Sequence, residues 1–143
     1  GVEGSAYGFN SNPRTQAKIG QLHVQSGFAA DGVSLLDSSW VEAAGSNQLE
    51  TQQRSTPLYY GYGYQWWTDL IKNDDPSSDF DFLEGSYSAI GAVGQYITVI
   101  PKINTVVVVV SRWTGFQTDS RAASFLMMII RNLGNVDTRV PRC

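Results

Sequence analysis

Two β-branched runs joined by a turn dominate the second half of the chain and limit what it can become. Gln95 to Ile100 places Tyr96, Thr98 and Ile100 on one side of an extended backbone and Ile97 and Val99 on the other. Pro101, Lys102, Ile103 and Asn104 follow with turn chemistry, because proline fixes φ and asparagine tolerates tight backbone angles. Val106-Val110 is then an unbroken valine run. Side chains branched at Cβ are stiff at χ1 and fit a pleated sheet better than a helix. A strand that is apolar on both sides needs cover on both faces. The pair is expected to form a β-hairpin at the middle of a layered domain.

The neighbouring segments supply candidate layers. Asn12-Pro13 is a helix start, with asparagine as cap and proline at the first helical position. Ala17, Ile19, Leu22 and Val24 give that helix an apolar side, and Gly27 ends it. After an Asp31-Gly32 turn signal, Leu35 to Gly45 reads as a short helix. Asp37 caps it, Leu36 staples onto Val41 and Gly45 closes it. Ser46 to Pro57 is polar and loop-like. Tyr59 to Trp67 reads as an aromatic strand. Thr118-Asp119-Ser120 caps a last helix in which Phe125 to Ile130 is apolar all round, which implies burial between other elements, and Leu133-Gly134 stops it. The order is two helices, four strands and a helix, an α+β arrangement with an antiparallel sheet flanked by helices. One domain is expected over residues 1–135, with a loose tail at 136–143.

Several function classes are disfavoured. A formal charge of −3, with 16% of residues charged, gives no footprint for nucleic acid or an anionic membrane. Cys143 is the only cysteine, so an internal disulfide and a multi-cysteine metal site are excluded. The apolar runs are too short to span a bilayer, and no signal peptide opens the chain. The start at Gly1-Val2-Glu3-Gly4 lacks an initiator methionine, which suggests a processed, trimmed or partial sequence.

Three features carry possible chemistry, each with two readings. The lone histidine, His23, is a solvated or structural residue or a catalytic base; no local acid or nucleophile favours the second. Asp74, Asp75, Asp79 and Asp81 form a solvated loop or a calcium loop, and their spacing misses the EF-hand pattern. The aromatic stretch Tyr59 to Trp67 is a stacking platform for a sugar or flat ligand, or a core strand whose rings fill space between layers. The first of these last two would make the chain a noncatalytic carbohydrate- or aromatic-ligand-binding module.

Four stretches in order resemble the C-terminal part of the serine β-lactamase-like family. That family contains penicillin-binding proteins, class C β-lactamases, esterases and 6-aminohexanoate-dimer hydrolases. Asn12 to Leu22 is similar to its T-A-R-D-L-A-R-F-G-L-L helix, and Gly27 to Ala43 to its G-x-x-x-G-x-x-L-L-x-x-x-W-V-x-x-A segment. Tyr62-Gly63-Tyr64-Gln65-Trp66-Trp67 is similar to its Y-G-Y-G-W-W strand. Gly91-x-x-Gly94-Gln95-Tyr96-Ile97-x-Val99-Ile100-Pro101 is similar to its G-x-G-G-Q-Y-I-x-V-x-P hairpin. The oligomer-hydrolase and esterase branch fits best.

The resemblance implies an amide or ester hydrolase that works through an acyl-serine, without a cofactor or metal, and it leans towards a secreted or extracytoplasmic location. Such an enzyme needs a serine one helical turn before a lysine. The lysines here are Lys18, Lys72 and Lys102, and none lies three residues after a serine. Thr15-Gln16-Ala17-Lys18 has the spacing with threonine but matches the family's late helix, so it reads as coincidence. Neither Tyr-x-Asn nor Ser-x-Asn occurs. The nucleophile is therefore expected outside this chain, on an N-terminal segment of the same fold, with a small-molecule amide or ester as substrate. The family's third motif, a strand edge that helps hold the substrate carbonyl, falls here on Ser88, Ala89, Ile90 and Gly91, without the usual lysine or histidine; their other role is ordinary strand. Without the N-terminal segment, Val106-Val110 is expected at a sheet edge, where uncharged apolar strands self-associate.

Overall fold

The computed structural model describes residues 11–50, 59–70, 81–111 and 118–134. The expectations for the chain's first residues, most of the acidic loop, the end of the Ser46-to-Pro57 loop and the tail lie outside the described residues. So does the capping chemistry of Thr118-Asp119-Ser120.

Helix α1 spans Pro13–Val24. Asn12 Oδ1 accepts from the Thr15 amide at 2.9 Å, which satisfies one of the donors that a helix start leaves open. Helix α2 spans Ser38–Gly45, and Asp37 caps it through a 2.8 Å bond from the Ser39 amide. Both starts are where the sequence puts them, because a cap is decided by the residues beside it. Beyond α1, the Gly27 amide bonds the Leu22 carbonyl at 2.9 Å and the Gly27 carbonyl accepts from Leu35 and Leu36, which turns the chain towards α2.

Six strands follow: β1 Leu49–Glu50, β2 Tyr59–Tyr62, β3 Trp67–Leu70, β4 Tyr87–Gly91, β5 Gln95–Ile100 and β6 Thr105–Val109. They form one antiparallel sheet in chain order, and α3, Thr118–Gly134, closes the described fold. The count exceeds the four strands expected, for two local reasons. The polar stretch after α2 contains the short β1. The aromatic segment is not one strand but a hairpin, folded at Gly63 to Trp66 by a 2.7 Å bond from the Gly63 amide to the Trp66 carbonyl, with Gln65 at φ 68°.

Register sorts the side chains into two faces, since residues opposite each other in an antiparallel pair share a face. Gly61, Thr68, Tyr87, Val99 and Val106 form one row, and Tyr62, Trp67, Ser88, Thr98 and Val107 the row on the other side. On the second face Tyr96, Ile100, Val107 and Val109 pack with Leu126, Met127 and Ile130 of α3 and with Leu83. On the first, Ala44, Trp66, Tyr87 and Val99 pack with Ile19 and Val24 of α1. The hairpin is thus the middle of three layers, as its two apolar sides require. Gly20 makes the close approach of α1 possible: a Cβ there would lie 2.4 Å from Val106 Cγ1.

One further expectation needs correction. Helix α3 is not buried all round: Leu126 and Ile130 are fully buried, whereas Phe125 is 44% and Met128 52% exposed. A run of apolar residues hides which face of a helix meets the sheet. Strand β6 lies at the edge of the sheet, where the sequence places it, and it pairs only with β5 among the described residues.

Candidate active-site strand and the aromatic cluster beside it

Strand β4 carries the four residues proposed to line a site. Its ladder to β5 runs the full length, from Tyr87↔Val99 to Gly91↔Gln95. Its ladder to β3 consists of Trp67↔Ser88 and Thr68↔Tyr87 and stops there, because β3 begins at Trp67 after the aromatic turn. Ala89, Ile90 and Gly91 therefore run past β3 with β5 as their ladder partner. Backbone groups alternate in direction along a strand, so this stretch presents amide and carbonyl groups on the side that β3 leaves open.

The four side chains diverge. Ser88 is fully buried and its hydroxyl donates to Thr98 Oγ1 at 2.8 Å, on the α3 face. Ile90 packs into the same layer. Ala89 packs on the α1 face, and Gly91 closes the ladder at the turn. What the structure brings together is a backbone edge, not a set of converging side chains. The loop at 92–94 fixes the end of that edge. Val93 has φ 59° and Gly94 φ 85°; the left-handed region is unusual for a β-branched residue. Ser111, just past β6, holds the loop: its hydroxyl lies 2.9 Å from the Val93 carbonyl and 2.7 Å from that of Gly94, and its own carbonyl accepts from the Gln95 side chain.

Next to this edge is a cluster that sequence reasoning did not assemble. His23 is buried against Trp66, with ring centroids 4.4 Å apart, and Trp40 lies 6.3 Å away. His23 Nδ1 is 3.3 Å from the Tyr87 hydroxyl, across 64 residues of sequence. Burial pushes the imidazole pKa below its ordinary value, so the neutral ring is favoured. Burial likewise pushes the Tyr87 phenol up to about 12. His23 is thus a buried residue in contact with Tyr87 and not a solvated one. The signal in the sequence is its place four residues after Ile19 and three after Gly20, on the helix face that meets the sheet.

The aromatic residues divide between tasks. Trp66 is buried on one face, Trp67 joins the α3 layer edge-on to Tyr62 at 5.0 Å, and Tyr64 is 47% exposed at the turn. Thr15, which has helical spacing to Lys18, directs its hydroxyl to Asn12 Oδ1 at 3.2 Å as part of the cap. Among the described residues no three His, Cys, Asp or Glu side chains come together as a metal site, and no helix is long and apolar enough to cross a membrane.

This arrangement is an α+β fold, an antiparallel meander covered by helices on both faces. Among solved structures the chain is similar to a putative 6-aminohexanoate-dimer hydrolase from Bacillus anthracis, with a TM-score of 0.59 and 22% identity, over 93% of this chain and 31% of that one. The chain thus spans about a third of the length of the hydrolase that it matches. No protein-family profile matches the sequence, and no curated protein matches it significantly. The likeness is one of fold.

Proposed function

We propose that the chain supplies the C-terminal portion of a β-lactamase-related serine hydrolase, which cleaves amide or ester bonds through an acyl-serine whose nucleophile lies outside these residues. The observation that supports this reading is the likeness of fold to a protein named as a hydrolase, over nearly the whole chain. The open side of Ala89, Ile90 and Gly91 fits the part a strand edge plays in such a site: an amide directed at the position of a developing oxyanion stabilises it. Ser88, under α3, supports that edge from beneath. The substrate is a small amide or ester.

Isolated chain incubated with a chromogenic ester and a fluorescent acyl-serine probe is expected to show neither turnover nor labelling. Covalent capture at any serine overturns the placement of the nucleophile. The coding sequence upstream of Gly1 is expected to carry Ser-x-x-Lys.

The same reading assigns the edge of β6 to the N-terminal segment of the fold. Without it, the uncharged row of β6 residues invites pairing with a second copy. Light scattering is expected to show association that Val108→Lys reduces. A monomeric chain with a sharp melt would mean that this edge is covered in another way.

A further inference from the structure

The two methionines of the chain are neighbours on α3, and the helix carries them into different surroundings. Successive residues of an α-helix point about 100° apart around its axis. Met127 is 9% exposed and belongs to the buried layer with Tyr96, Ile100, Leu126 and Ile130. Met128 is 52% exposed and shares the outer face with Phe125, three residues earlier and 44% exposed. The Met128 carbonyl accepts from Asn132 Nδ2 at 2.7 Å, a bond in which the thioether has no part. One sulfur is thus enclosed by side chains, and the next one in sequence is open to solvent.

We infer that Met128 is a site of oxidation to the sulfoxide by hydrogen peroxide, with Met127 protected beside it. A lone pair of the Met128 sulfur attacks one peroxide oxygen; an S–O bond forms and the O–O bond breaks. The departing hydroxide takes the proton of the transferred hydroxyl and leaves as water. Sulfur is oxidised by two electrons and the peroxide is reduced by two. The product is polar, and sulfoxide reductases restore the thioether. On the outer face the new oxygen meets water, and the Asn132 bond to the Met128 carbonyl survives. At Met127 the same oxygen would have to enter an apolar layer, at the cost of burying a polar group. Oxidation at Met128 therefore changes the surface of α3 and leaves its core. No residue of the open β4 edge takes part, so the inference does not depend on the hydrolase reading.

The test treats the full chain with dilute hydrogen peroxide, followed by digestion with trypsin. Cleavage after Arg121 and Arg131 releases Ala122 to Arg131, which carries both methionines, and fragment masses place the added oxygen. The first oxygen is expected on Met128, about five-fold or more faster than on Met127, in line with their difference in exposure. In concentrated urea the two rates are expected to converge. Met128→Leu is expected to remove the fast phase and Met127→Leu, a swap of similar volume, to leave it. Thermal melts of treated wild type and treated Met128→Leu are expected to coincide. Equal rates in the folded chain, or earlier oxidation of Met127, overturn the inference. A difference that persists in urea overturns it too, because it would then come from the local sequence and not from burial. So does a loss of fold tied to the oxygen on Met128.

Discussion

The two faces of the sheet solve the same burial problem with different side chains. The α3 face is mainly aliphatic: Leu126, Ile130, Ile100, Val107 and Val109 interlock there around Tyr96, with Trp67 at the margin and a hydrogen bond between the Ser88 and Thr98 hydroxyls. The α1/α2 face is aromatic and polar: Trp66, Tyr87 and His23 pack together, His23 and Tyr87 line a cavity, and Thr68 Oγ1 is buried with no partner among the described residues. Aliphatic packing needs only shape and volume. Polar aromatic packing needs each hydrogen bond to close, and where one does not, room is left for something else. Stability should therefore concentrate on the α3 face, and sensitivity to pH on the other.

The largest effect expected from this contrast is at Leu126. Truncation to alanine removes a fully buried side chain and leaves a cavity, at a cost of about 2–5 kcal/mol. Its neighbour Phe125, 44% exposed, should tolerate serine within about 0.5 kcal/mol. Urea unfolding compares the two. If they cost the same, α3 does not meet the sheet through the face described.

A smaller loss is expected at Tyr87→Phe on the other face. The ring still fills its place between Gly45 and Trp66, but His23 Nδ1 loses its partner, at about 1–3 kcal/mol. A cost below the error of the measurement would show that the 3.3 Å contact contributes nothing. Comparing Leu126→Ala with Tyr87→Phe thus measures how unequal the two layers are.

What the sequence revealed follows the same division. Asn12 and Asp37 were legible as caps, and Gln95 to Ile100 and the valine run as strands, because these features depend on neighbours in sequence or on a strong β preference. The aromatic stretch was misread as one strand because its turn contains Gln65 at positive φ, where glycine or asparagine would have announced it. Six apolar residues in a row concealed the amphipathic side of α3. Ser88 to Gly91 was legible as strand, but the point where β3 stops pairing depends on that unseen turn. The meeting of His23 with Tyr87 is purely tertiary, and no local pattern encodes it.

The burial of these two rings bounds the pH range over which the fold is expected to be most stable. The unfolded histidine takes a proton near its ordinary 6.5, while the buried ring of His23 resists it. Below 6.5 the unfolded chain therefore binds more protons than the folded one, and stability falls with pH until the lowered folded value is passed. Tyr87 works in the opposite direction. Its phenol moves from 10.0 to about 12, so between those values the folded chain holds a proton that the unfolded one has lost, and stability falls as pH rises. The urea midpoint is expected to be level from about pH 6.5 to 10 and to drop on both sides. His23→Gln should flatten the part of the acid limb just below pH 6.5, and Tyr87→Phe the alkaline one. An acid limb of the same steepness in His23→Gln would assign it to carboxylates and remove His23 as its cause.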